Sequence, residues 1–171
     1  QVSQAEKFCR EGGAAETGIL TGEVEKKMRE FIREFFGLLT THTRTALGCK
    51  ASVPPATVDE LFQVAERTGK RYETACFLHA HAGNGIVYIY FSPPEGADKD
   101  PMQIFVKMVE ELRISTANLG GSLVVEFAPI GVKEKVNIWG QPDRSFKVMQ
   151  GFKAQFDPQN ILNPGRFVGG L

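Results

Sequence analysis

Apolar and polar positions follow a legible order from Leu47 onward. Leu47–Val53 is a short apolar run stopped by Pro54-Pro55, which predicts a strand. A helix opens after the prolines, at Ala56 or Thr57. Val58, Leu61, Phe62, Val64 and Ala65 recur on one helical face, and Gly69 is expected to close it. Tyr72–Ala80 reads as a second strand. The dipeptide Asn84-Gly85 is a hairpin signal, because both residues tolerate the positive φ that tight turns require. Ile86–Phe91 is a third strand, ended by Pro93-Pro94 and followed by a polar loop, Glu95–Asp100. Pro101 suits the first position of a helix. Ile104, Phe105, Met108, Val109, Leu112 and Ile114 continue it with helical spacing up to Gly120-Gly121. Ser122–Phe127 is a fourth strand. The order β-α-β-β-α-β predicts an α+β fold of the ferredoxin-like, split β-α-β kind: an antiparallel sheet with both helices on one face.

The flanks read differently. Val24, Met28, Phe31, Ile32, Phe35 and Phe36 form an apolar stripe over Glu23–Phe36, opposite a charged face. That pattern predicts a helix docked on a core. Residues 1–20 hold a short helix and a turn at Gly12-Gly13. Ser145–Phe156 predicts a C-terminal helix, with Phe146, Met149, Phe152 and Phe156 apolar. The last sixteen residues, Phe156–Leu171, read as an ordered, irregular tail. Pro158 and Pro164 break regular structure, yet Ile161, Leu162, Phe167 and Val168 are too apolar for a disordered end. Such a tail needs a partner surface.

Composition narrows the class. The chain has 171 residues, enough for one domain and not comfortably two. Lys+Arg and Asp+Glu are both 20, so no charge excess argues for a nucleic-acid or anionic-membrane surface. No run approaches the roughly 18 apolar residues of a membrane span, and no signal peptide is expected. Cys9, Cys49 and Cys76 form neither a metal spacing nor a disulfide framework, which suits reduced thiols in the cytoplasm. The chain starts on Gln, so an upstream segment is expected.

Few motifs carry chemistry. His79 and His81 lie two apart on a strand and share one face. The spacing suits a metal pair, but no third ligand is evident and no metal is expected; a substrate or flavin contact and ordinary strand histidines remain open. Gly83-Asn84-Gly85 does not open a helix, so it reads as a turn and not as a phosphate cradle. There is no dinucleotide fingerprint and no nucleophile motif. Lys50, near the middle of the first strand, is either a solubilising residue on a sheet edge or a cation aimed into a site. Trp139, the sole Trp, reads as a packing anchor in the turn 139–143. In the tail, Asn163 can donate and accept, and its place before Pro164 predicts extended geometry. Arg166 can pair with an anion.

The tail Phe156-Asp-Pro-Gln-Asn-Ile-Leu-Asn-Pro-Gly-Arg166 closely resembles the end of FAD-linked oxidases of the vanillyl-alcohol oxidase type. The extension Arg166-Phe-Val-Gly-Gly170 is similar to one branch, the FAD-binding E subunit of glycolate oxidase. Lys50-Ala-Ser-Val-Pro-Pro55, Ala80–Val87, Gly120–Glu126 and Asn137–Gly140 follow in the order of that subunit. His79-Ala-His-Ala-Gly-Asn-Gly85 resembles a histidine motif of related 2-hydroxyacid dehydrogenases only superficially, and the match fails: Asn84 stands where that motif has Asp, and no histidine follows the second glycine at the motif's place.

The resemblance implies a cap, or substrate, domain spanning 1–171. It would comprise a helical extension 1–44, a core 45–130, and a C-terminal helix with flavin-facing tail 131–171. FAD would be held mainly by an absent upstream FAD-binding domain. Asn163, Arg166 and Lys50 would lie on the flavin side, with His79 and His81 toward a small 2-hydroxy acid such as glycolate; the catalytic residue stays unassigned. Implied partners are other glycolate oxidase subunits, including an iron–sulfur subunit. The implied location is cytoplasmic, with peripheral inner-membrane attachment through the complex as the further option. Two readings compete: an electron-relay or structural subunit domain, and a stand-alone ferredoxin-like ligand-binding module.

Overall fold

The computed structural model describes residues 2–43, 45–93, 101–142 and 144–171, without the side chain of His42. The predicted loop Glu95–Asp100 therefore lies outside the described residues. The chain divides into two compact units, Gln1–Leu39 and Thr40–Leu171.

The first unit contains helix α1 (Val2–Glu11), and helix α2 (Gly22–His42) begins in it. The chain leaves α1 at Gly12 and Gly13, where Gly13 takes φ 88°, a conformation that costs glycine little. Helix α2 outruns the predicted Glu23–Phe36 at both ends. Gly37 is only a weak breaker, costing about 1 kcal/mol in a helix, and no proline follows it. The expected burial of its apolar stripe is not found. Val24, Met28, Phe31 and Ile32 are exposed, Phe31 at 51%. Two helices enclose too little volume to cover such a stripe by themselves.

The second unit is built on four strands: β1 (Leu47–Ser52), β2 (Ala75–His81), β3 (Ile86–Ser92) and β4 (Ser122–Phe127). Their order is β2-β3-β1-β4, with every neighbouring pair antiparallel. Helices α3 (Val58–Arg71) and α4 (Pro101–Asn118) form the two crossovers, giving the expected split β-α-β arrangement. The strands alternate with period two. Leu47, Cys49 and Ala51, Val87, Ile89 and Phe91, and Leu123 and Val125 all enter one core. Leu61 and Ala65 of α3 and Phe105, Met108, Val109 and Leu112 of α4 close it. Each large apolar side chain buried there contributes roughly 1.5–3 kcal/mol.

Two predicted boundaries shift and one element is added, each for a physical reason. Gly69 does not end α3 but lies inside it, buried; a Cβ there would meet the Cys76 Cβ at 3.0 Å. The residue lets α3 approach β2 and is not a stop. The helix instead ends at Arg71, and Glu73 reverses the chain with φ 55°, so β2 starts at Ala75 and not Tyr72. A short helix α5 (Ile130–Lys133), absent from the predicted pattern, seats Val132 in the core.

Glu111 on α4 ties the two crossover helices together. It accepts from Arg71 Nη1 (2.7 Å), Tyr72 Oη (3.3 Å) and Thr68 Oγ1 (3.4 Å). The hairpin tip is anchored as well. Gly85 has φ 68° and accepts a hydrogen bond from the Val53 amide at 2.9 Å. A Cβ at Gly85 would overlap the Val53 carbonyl oxygen, whereas one at Gly83 meets open space. Gly85→Ala is therefore expected to destabilise by about 3 kcal/mol or more, from strain plus overlap. Gly83→Ala should change stability by less than about 1 kcal/mol. Urea unfolding of both variants checks the contrast.

Candidate functional site

Because one sheet face holds the core, the other alternate positions share the opposite face. One cross-strand row there reads His79, Tyr88, Lys50, Val124, from β2 through β3 and β1 to β4. The His79 imidazole stacks on the Tyr88 ring, centroids 4.5 Å apart and planes 16° apart. Lys50 Nζ stands 5.6 Å from the centroid of the same ring, a cation–π arrangement. His81 meets Tyr88 edge-on at 6.2 Å, and Tyr90 lies 5.7 Å from His79. The structure thus brings Lys50, His79 and His81 together around Tyr88. Strand β1 is interior to the sheet, so the reading of Lys50 as an edge residue falls away.

Burial shifts two titratable groups on this face. Burial, and then His81, push the His79 imidazole below its ordinary value. Burial first, then Glu126 and Tyr88, push the Tyr90 phenol up to about 12. At neutral pH His79 is an acceptor-capable imidazole and Tyr90 keeps its proton. Among the described residues, no group of three or more His, Cys, Asp or Glu could hold a metal ion. Burial also raises the Cys49 and Cys76 thiols to about 12, so neither is a nucleophile at neutral pH.

Asn163 and Arg166 form a second group, beyond the other edge of the sheet. The Ile138 carbonyl accepts from the Val125 amide at 2.8 Å, which lays the chain after α5 along β4. Trp139 then donates Nε1–H to the Arg166 carbonyl at 3.2 Å and packs edge-on against Phe167 at 5.2 Å. The Trp anchor therefore packs on the chain's own tail. Helix α6 (Phe146–Phe156) comes next, one residue shorter than predicted. The tail after it is irregular apart from a single 3-10 turn, Val168–Gly170.

Asp157 organises the tail and went unnoticed in the sequence. It is 6% exposed. Its Oδ1 accepts from the Ile161 amide at 2.9 Å and its Oδ2 from the Leu162 amide at 3.0 Å. Lys153 donates to the same carboxylate and, at 2.7 Å, to the Leu162 carbonyl. Lys153 holds the Asp157 carboxyl below the usual carboxylate range; partial burial opposes this and the two amides reinforce it. Asn163 has φ 47°, not the extended geometry expected before a proline. Asn tolerates this left-handed region, and the Arg166 amide closes a turn on the Asn163 carbonyl at 3.2 Å. Asn163 lines a cleft of about 400 Å³ with Met149, Phe152, Lys153, Leu162, Phe167 and Leu171. Nearby, Phe156 (76%) and Ile161 (70%) lie exposed.

Tyr88 and Tyr90 were also missed. Strand alternation puts them on the same face as Lys50 and the histidines, but only the β1–β3 and β2–β3 registers show that Tyr88 stands between them.

Comparison with known proteins adds the family context. Residues 1–167 match the family described as FAD linked oxidases, C-terminal domain. The D-lactate dehydrogenase of Archaeoglobus fulgidus is 32% identical over 118 residues, 69% of this chain and 26% of that protein. Glycolate oxidase subunit GlcD of Bacillus subtilis is 23% identical over 168 residues, 96% of this chain and 35% of the relative. The D-2-hydroxyglutarate dehydrogenase of Stutzerimonas stutzeri is 23% identical over 166 residues, 94% and 35% respectively. The chain spans about a third or less of the length of these curated relatives.

The residues fit part of a flavin site, not all of one. Pockets that enclose drug-sized ligands run from about 300 to 1,000 Å³. A cleft near the low end, open on one side, covers a fraction of a dinucleotide. The apolar and aromatic lining with one amide and one ammonium suits contact with a planar ring system.

Two titrations test this geometry. Replacing His81 with Ala should raise the His79 pKa toward its ordinary value, read by NMR of the imidazole carbons; an unmoved His79 would refute the proximity. Asp157 is depressed in the folded state, so its contribution is fully present above the ordinary carboxylate value of about 3.9. It is lost as pH falls through the depressed value. Limited pepsin digestion at stepwise lower pH should therefore open the tail before the sheet core.

Proposed function

The chain belongs to the C-terminal domains of FAD linked oxidases, and from that premise we propose that it forms one wall of the flavin and substrate site of a 2-hydroxyacid oxidoreductase. FAD is the cofactor of this family. The relatives' names point to D-lactate, glycolate and D-2-hydroxyglutarate, all 2-hydroxy acids. Their greater length supports an upstream FAD-binding domain as the partner of this one. The single observation that carries the reading is the row His79, Tyr88, Lys50 on the sheet face away from the helices.

A 2-hydroxy acid presents a carboxylate and a hydroxyl on adjacent carbons. Lys50 binds the carboxylate, since it is a cation on an interior strand with its ammonium held over Tyr88. His79 accepts the hydroxyl proton at a ring nitrogen, because burial and His81 keep it neutral. Tyr88 spaces the two. Tyr90, protonated and buried at 8% exposure, closes the floor. The flavin supplies the two-electron acceptor for the substrate's C–H hydride, and the 2-oxo acid is the product. Asn163 and Arg166 act on the flavin side, as their place in the tail motif suggests.

The specific acid is glycolate, the branch is the E subunit on the strength of the tail ending Arg166–Gly170, and an iron–sulfur subunit takes the electrons onward. The setting is cytoplasmic. Among the described residues, no helix is long and apolar enough to cross a membrane.

The test uses the full-length protein with its flavin. Anaerobic addition of glycolate, D-lactate or D-2-hydroxyglutarate should bleach the visible flavin bands. Lys50→Ala should raise KM for the active acid roughly 10- to 100-fold, the equivalent of one lost charged hydrogen bond. His79→Gln should lower kcat about 10²-fold or more. A flavin that stays oxidised with all three acids would favour an electron-relay subunit. No bound flavin at all would leave a ligand-binding module.

A further inference from the structure

Asp157 and Lys153 carry more structure than a surface ion pair. One carboxylate receives two consecutive backbone amides and one ammonium, and that ammonium also binds the Leu162 carbonyl. Four hydrogen bonds thus converge on the six residues Asp157–Leu162 that follow α6. The Asn160 amide adds a turn bond to the Asp157 carbonyl at 3.0 Å. Immediately after this knot come Asn163, forced to φ 47°, and the turn that ends at Arg166. Beyond them the Arg166 carbonyl is pinned by Trp139. The segment bearing Asn163 and Arg166 is therefore held at both ends: by the Asp157–Lys153 knot before it, and by Trp139 after it.

We infer that Asp157 and Lys153 are positioning residues, which set the backbone of the tail so that Asn163 and Arg166 meet the flavin in one fixed orientation. This rests on the flavin-side reading of those two residues. The physical argument is economy of conformation. The segment 158–165 contains two prolines and one glycine, and its side chains Ile161 and Leu162 are exposed. Apolar burial therefore does not hold it, and side-chain-to-backbone hydrogen bonds take over that role. Asparagine at position 157 would keep the shape but offer a donor where a second acceptor is needed, facing either the Ile161 amide or the Leu162 amide and Lys153 ammonium together. A glutamate would displace both oxygens by one methylene. The charge and the length are both required.

The experiment uses the full-length flavoprotein and four variants: Asp157→Asn, Lys153→Met, Asn163→Ala and the double Asp157→Asn/Asn163→Ala. Hydrogen exchange by mass spectrometry reads the Ile161 and Leu162 amides directly. Visible circular dichroism reads the flavin's surroundings without turnover. The expected result is at least a tenfold faster exchange of the two amides in Asp157→Asn and Lys153→Met. Flavin content and melting temperature should stay near the parent values. The dichroism of Asp157→Asn should change in the same sense as that of Asn163→Ala, and the double variant should add nothing to Asn163→Ala, the signature of one residue acting through the other.

Unchanged exchange in Asp157→Asn would overturn the knot itself. Faster exchange with parental dichroism, while Asn163→Ala alters it, would overturn the positioning role and leave the flavin-side reading standing. Parental dichroism in Asn163→Ala and in an added Arg166→Ala variant would remove the flavin-side reading, and the positioning role with it. Additive changes in the double variant would show that Asp157 acts by another route.

Discussion

The two-sidedness of the sheet is the constraint on which the rest depends. Strand side chains alternate, and α3 and α4 pack on one face. Once Leu47, Cys49 and Ala51 are committed to that core, Lys50 must emerge on the other side. The same logic applied to Val87, Ile89 and Phe91 places Tyr88 and Tyr90 there. Antiparallel register then puts His79 directly across from Tyr88. A slip of one residue would invert every one of these positions. Core packing thus sets the chemistry of the open face, without any contact designed for that purpose.

The tail is held by a different kind of force. Its apolar residues are largely exposed, so burial does not explain its order. Hydrogen bonds from Asp157 and Lys153, and from the Trp139 indole, define its path. Phe156 and Ile161, flanking the cleft residues Phe152 and Leu162 in sequence, are exposed. The two candidate groups lie toward opposite edges of the sheet.

How much was legible depended on how local the cause was. The four strands and two crossover helices were readable because periodicity, prolines and glycines are short-range signals. Gly69 misled for the opposite reason. A glycine that ends a helix and one that admits a neighbouring strand look alike until Cys76 is known to lie against it. Helix α5 escaped because four residues are too few for a period. The tail motif pointed to Asn163 and Arg166, but Asp157 within the same stretch received no role. Its role depends on Lys153 one helical turn earlier and on two amides further on.

The chain by itself determined its elements, their order, the resemblance of its tail, and which residues on β2 share a face. Those properties follow from steric preference and from the two periods of backbone structure, which act within a few residues. Only the tertiary structure decided that Lys50 is interior, that Tyr88 stands between Lys50 and His79, that Asn163 turns left-handed, and that Trp139 closes on the tail. Each of those outcomes joins residues far apart in sequence, or depends on such a join. Loop closure and the packing of the whole core, not local preference, select among the pairings the sequence permits.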